Sequence, residues 1–94
     1  MIVGFRHKGL RRFFGRGDVR GIDPRHVRKL RRVLSLLQQA KRVNDLRPFA
    51  FLRLHPLKGD RRGKWAIDVS GNWRITFSVT SDGEFDELDY EDYH

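Results

Sequence analysis

The apolar positions change period once along this chain, dividing it into a helical half and a sheet half. Residues 2–5 are a short apolar stretch that predicts a strand. From His7 onward, Leu10, Phe13 and Phe14 fall at i, i+3 and i+4, the spacing of one helix face. Gly15, Gly17 and Gly21 interrupt that face and predict a loop; their spacing is not that of a glycine-rich phosphate loop. Asp23-Pro24 then offers an N-cap followed by proline at the first helical position. Val27, Leu30, Val33, Leu34, Leu37 and Ala40 continue at three- and four-residue spacing, predicting an amphipathic helix over residues 24–40.

After Pro48 the period becomes two. Leu52 and Leu54 alternate with Arg53 and His55; Trp65, Ile67 and Val69 alternate with polar or small residues, and so do Trp73, Ile75, Phe77 and Val79. Ser70-Gly71-Asn72 joins two of these runs as a tight hairpin, and Asp82-Gly83 leads through another into a strand over residues 85–90. The expectation is one α+β domain over residues 1–94. An N-terminal strand and a two-helix hairpin pack on one face of a mainly antiparallel, twisted sheet, and the other face stays polar and open. Alternation also places side chains. With Leu52, Leu54, Trp73, Ile75 and Phe77 turned to the core, Arg53, His55 and Arg74 share the open face.

Charge adds a class of partner to this outline. The 94 residues carry a formal +8, unevenly: 14 basic and 3 acidic side chains in residues 1–47, no Lys or Arg and 7 acidic groups in residues 81–94. Such a basic half attracts nucleic acid, or a strongly acidic protein, in a salt-dependent way. The longest apolar run, Phe49-Ala50-Phe51-Leu52, is far short of the ~20 residues of a membrane span. Arg6 interrupts the first apolar stretch before a signal sequence can form, so a cytoplasmic protein with no membrane contact is expected. Without cysteine there is no disulfide framework or thiol nucleophile.

Of the four histidines, His7 and His26 stand among basic residues and are expected to be exposed. No histidine pair has metal-ligand spacing, so neither metal nor cofactor is expected. His55 stands in His55-Pro56-Leu57-Lys58-Gly59-Asp60-Arg61. That stretch reads equally as a polar turn or as an anion site, with an imidazole for proton transfer and cations for phosphate charge. The chain ends on Tyr90-Glu91-Asp92-Tyr93-His94, a titratable tail that follows directly from an expected strand.

Four segments together resemble the HigB-type toxins of the RelE/ParE toxin–antitoxin superfamily: Phe5-Arg6-His7-Lys8-Gly9-Leu10, the His55–Arg61 stretch, Gly71-Asn72-Trp73-Arg74-Ile75-Thr76-Phe77, and Tyr90-Glu91-Asp92-Tyr93-His94. They span nearly the whole chain, and residues 15–21 and 41–51 carry none of the resemblance. It implies a RelE-like fold and a metal-independent endoribonuclease that cuts messenger RNA in the ribosomal A site. It also implies a HigA-like helix-turn-helix antitoxin. Carried over, the catalytic site falls on His55, Lys58, Arg74, Asp92, Tyr93 and His94.

These residue types suit attack of a ribose 2′-hydroxyl on the adjacent phosphate. His55 and His94 are the two candidates for base and acid, and sequence does not divide the roles between them. Asp92 would orient an imidazole, Lys58 and Arg74 would stabilise phosphate charge, and Tyr93 would stack on a base. Arg25, Arg28, Arg31, Arg32, Arg53 and Arg61 are expected to bind messenger or ribosomal RNA, with the helical arginines alternatively docking an acidic antitoxin segment. The competing readings are a ParE-like gyrase poison and a non-catalytic nucleic-acid-binding module on the same fold.

Overall fold

The computed structural model describes residues 1–92. Helix α1 spans Lys8–Arg16 and α2 spans Val27–Gln39, the latter entered through a 3₁₀ turn, Pro24–His26. The strands are β1 (His55–Pro56), β2 (Lys64–Ser70), β3 (Trp73–Val79) and β4 (Phe85–Asp92). They form an antiparallel meander in the order β1-β2-β3-β4. Residues 2–5, expected as a strand, lie parallel to β4 through two isolated bridges only, Ile2 to Phe85 and Phe5 to Leu88, because the left-handed Glu87 between those partners interrupts a continuous ladder. The α+β two-layer arrangement expected from the sequence is therefore present.

Helix α1 and the 3₁₀ turn that leads into α2 each start where a side chain accepts an otherwise orphaned backbone N–H. His7 Nδ1 accepts from Leu10 N at 2.9 Å, and the Asp23 side chain accepts from Arg25 N at 2.9 Å. Helix α1 stops at Gly17, whose φ of 72° favours a residue without Cβ. Gly9 and Gly21 pass so closely that a Cβ on Gly21 would lie 2.8 Å from the Gly9 Cα, which packs the loop before α2 against the start of α1. Leu10 and Phe13 of α1 and Leu30, Val33, Leu34 and Leu37 of α2 are buried against Ile67, Val69, Ile75, Phe77, Phe85 and Leu88 of the sheet.

Three expectations need correction. The strand expected over residues 52–55 is only His55–Pro56. Ala50–Leu52 forms a 3₁₀ turn, and Arg53 has φ 49° and ψ 44°, a left-handed conformation incompatible with a strand. Simple alternation also fails in β4, where the register shifts by one residue between Thr76 and Ser78 of β3. Glu87, at φ 54°, takes up the extra residue as a bulge, so that Phe85, Leu88 and Tyr90 all reach the core despite their uneven spacing.

Thirdly, His7 and His26 are not surface histidines. His7 is half-buried as the α1 cap and packs edge-on against Tyr90, with ring centroids 5.5 Å apart. His26 is 3 % exposed, and its Nδ1 shares a 2.6 Å hydrogen bond with the Tyr90 hydroxyl. Tyr90 also lies against Trp73 at 4.6 Å, and its hydroxyl accepts from Asp23 N–H at 3.4 Å. This cluster fastens the start of α2 to the end of β4. No helix among the described residues is long and apolar enough to cross a membrane.

Candidate active site

The outer face of the sheet, away from the helices, carries two cross-strand rows. One runs His55, Ala66, Thr76, Asp89; the next runs Asp68, Arg74, Glu91. His55 and Arg74 therefore do share this face, as period two predicts. They are two strands and two residues apart, about 12 Å between Cα positions at ordinary strand spacing. That gap is within reach of the long arginine side chain and a bound phosphate.

His55 is held by the turn that replaces the expected strand. Its Nδ1 donates to the Arg53 carbonyl at 2.8 Å, an oxygen that can only accept. In the neutral ring this fixes the proton on Nδ1 and leaves the lone pair on Nε2. The left-handed Arg53 turns its carbonyl toward the ring, and its guanidinium reaches Asp68 at 3.3 Å.

The loop after His55 leaves the sheet at Leu57, whose N–H donates to the Lys64 carbonyl at 2.8 Å. Lys58 is exposed at the start of a 3₁₀ turn, Gly59–Arg61. Gly59 and Gly63, at φ 68° and 93°, allow the chain to turn twice in five residues. Arg61 then reaches back across the outer face. Its Nη1 and Nη2 donate to the two carboxylate oxygens of Glu91 at 2.8 and 2.7 Å. The buried Thr76 hydroxyl donates to the same carboxylate at 2.8 Å. The Arg61 fork, helped by Thr76, holds the Glu91 carboxyl below its ordinary value, against the opposing effect of burial.

Asp92 is exposed at the last position of β4, opposite Trp73. That register puts it on the alternate side of the strand from Glu91, not in the Arg74 row. Tyr93 and His94 lie outside the described residues. The structure thus brings His55 and Arg74 to one face, leaves Lys58 exposed in the loop that follows β1, and sets Asp92 at the end of β4. Among the described residues no three His, Cys, Asp or Glu side chains cluster as a metal site would need.

The helical arginines form a separate surface. Arg25 is paired with Asp23 at 2.6 Å, whereas Arg32 lies over the Phe51 ring at 4.1 Å and Arg31 over Phe13 at 5.7 Å. Arg25, Arg28, Lys29, Arg32 and Phe51 surround a shallow depression of about 450 Å³. Sequence reasoning placed Arg53 and Arg61 among the RNA contacts, and both guanidiniums meet carboxylates on the outer face. It gave Glu91 and Thr76 no role. Alternation alone could have found Glu91, since an inward Tyr90 requires an outward Glu91.

The family model for the RelE-like toxin of the type II toxin–antitoxin system HigB matches residues 3–94. The Endoribonuclease HigB of Proteus vulgaris is 42% identical over 94 residues, the full length of both chains. Among solved structures, a YoeB/ParE toxin from Agrobacterium tumefaciens superposes with a TM-score of 0.58 at 19% identity, covering 100% of this chain and 99% of that one. YafQ from E. coli strain BL21(DE3) gives 0.56 at 19% identity, over 97% of this chain and 92% of that one. These two likenesses concern the fold. Membership of a type II system implies a cognate antitoxin. The family match over nearly the whole chain and the full-length relative establish that the chain belongs to the HigB-like toxins of type II toxin–antitoxin systems.

Proposed function

We propose that this toxin is a cytoplasmic endoribonuclease that cuts messenger RNA in the ribosomal A site, without a metal ion, by attack of a ribose 2′-hydroxyl on the adjacent phosphate. The observation that carries the reading is the bond from His55 Nδ1–H to the Arg53 carbonyl, which leaves Nε2 as an acceptor on the face that also holds Arg74. The nucleophile is supplied by the substrate, so the protein has to move two protons and stabilise phosphate charge. His55 Nε2 takes the 2′-OH proton as the 2′-oxygen bonds to phosphorus. The bond from phosphorus to the 5′-oxygen breaks, and His94 protonates that oxygen. A 2′,3′-cyclic phosphate and a 5′-hydroxyl end result.

Lys58 and Arg74 offset the charge on the phosphoryl oxygens, Asp92 orients the His94 imidazole, and Tyr93 stacks on an unpaired base. The ribosome contributes one scissile phosphate in a fixed geometry, which a small basic protein alone does not impose on flexible RNA. Arg25, Arg28, Arg31 and Arg32 supply affinity for ribosomal RNA, and the antitoxin is a HigA-like helix-turn-helix protein. The relative from Proteus vulgaris bears the name of an endoribonuclease, which supports the reaction class.

The test is cleavage on programmed ribosomes by purified wild-type, His55→Ala and His55→Gln proteins. Both variants should keep the wild-type circular dichroism spectrum and lose about 10²-fold or more in rate. Cleavage by His55→Ala at the wild-type rate overturns the reading.

A further inference from the structure

The loop carrying Lys58 has little of its own to hold it. Residues 58–62 are linked by i to i+3 backbone bonds of 3.4 and 3.1 Å, and no residue of Gly59–Arg61 is buried. Two glycines at positive φ make the segment easy to displace. Yet a phosphate-stabilising cation loses most of its effect when misplaced by about 1 Å. Something beyond the turn itself has to fix Lys58.

We infer that the Arg61–Glu91 fork is a positioning clamp that joins the Lys58 loop to the strand end bearing Asp92. Arg61 is three residues after Lys58, and Glu91 directly precedes Asp92 and lies opposite Arg74 in the sheet. One carboxylate therefore ties together three segments of the proposed site. Its geometry is bidentate, at 2.8 and 2.7 Å, and Thr76, 1 % exposed, fixes the same carboxylate from within β3 at 2.8 Å. The side chains of Arg61 and Glu91 are 39% and 25% exposed, so the pair is partly withdrawn from water, unlike a loose surface bridge. With both terminal nitrogens turned to Glu91, Arg61 acts through the loop instead of on RNA. This inference rests on the proposed active site.

The test is a double-mutant cycle on the full chain with Arg61→Ala, Glu91→Ala and the pair, and with Glu91→Gln as a milder variant that keeps side-chain size. Single-turnover cleavage at saturating programmed ribosomes is measured beside the ribosome concentration giving half-maximal rate. Melting curves fix a temperature at which every variant is folded. Each alanine variant should lose about 10- to 100-fold in saturated rate, with half-saturation changed less than about twofold. The pair should lose no more than the worse single variant, because the second substitution finds no clamp left to break. Glu91→Gln should fall between wild type and Glu91→Ala.

An RNA contact by Arg61 gives the opposite pattern: weaker half-saturation and a shallower salt dependence for Arg61→Ala, an unchanged saturated rate, and no coupling to Glu91. That result overturns the clamp. Losses that simply multiply in the pair also overturn it. His55→Ala in the same assay separates the two levels. If it is inactive while the Arg61 and Glu91 variants cleave normally, the clamp alone falls; if it is fully active, the site and the clamp fall together.

Discussion

Tyr90 provides a direct measure of how firmly β4 is tied to the helical layer. Its hydroxyl meets His26 Nδ1 at 2.6 Å and accepts from the Asp23 backbone at 3.4 Å, in surroundings where Tyr90 is 5 % and His26 3 % exposed. Tyr90→Phe keeps the ring, and with it the contacts to Trp73, His26 and His7. What disappears is the oxygen, leaving a buried ring nitrogen without this partner. Leaving one buried polar group unsatisfied costs about 1–3 kcal/mol. For a domain of this size each kcal/mol moves the melting temperature by about 4–8 °C, so a fall of roughly 5–20 °C is expected.

Thermal unfolding followed by circular dichroism at pH 7.5 reads this directly. The double variant His26→Phe, Tyr90→Phe, which removes both polar partners, should lose less than the sum of the single losses. Burial also pushes the Tyr90 phenol up from its ordinary value of 10.0, which means the folded state holds the proton more tightly. That contribution is complete below pH 10 and fades as pH rises through the folded value, so Tyr90→Phe should soften the alkaline loss of stability. A melting temperature for Tyr90→Phe within a degree or two of wild type, with no change in the alkaline limb, refutes the bond as a structural tie.

Three further outcomes follow from the same structure. Gly21→Ala drives a Cβ to 2.8 Å from the Gly9 Cα, a contact with backbone that no change of rotamer can relieve; a destabilisation of about 1–3 kcal/mol should appear in denaturant unfolding. Deleting Asp92, Tyr93 and His94 removes one exposed ladder position and two residues beyond it, so melting should barely move while growth arrest and messenger cleavage disappear at matched expression. Reversing Arg28 and Arg32 to glutamate should weaken ribosome binding and flatten its salt dependence without changing the saturated rate, and an unchanged salt slope removes ribosomal RNA from the list of partners for α2.

Local pattern made much of this architecture legible. The buried stripe of α2 and the alternation in β2 and β3 each state which side of an element meets the core, and that placed Arg74 on the outer face; His55 reaches the same face through its pairing with Ala66, although the alternation read over residues 52–55 is a turn. Local reading failed where a distant partner decides the outcome. His26 follows Asp-Pro-Arg and precedes a run of cations, so its neighbours make it look solvated; Tyr90, 64 residues later, buries it. Arg53 looks like the outward member of a strand, but its backbone is left-handed and its carbonyl accepts from the His55 ring.

Arg61 is the most instructive of these cases for function. In Gly59-Asp60-Arg61-Arg62 it reads as one more cation in a phosphate-seeking loop, and composition cannot distinguish it from Lys58. The distinction is geometric. Lys58 remains exposed at the start of its turn, whereas Arg61 spends its planar fork on Glu91, 30 residues away. A guanidinium matched to a carboxylate in two parallel bonds fixes orientation as well as charge, which an ammonium does not. In the proposed site the two cations of one loop divide the work: Lys58 is left to meet a phosphate while Arg61 holds the loop that presents it.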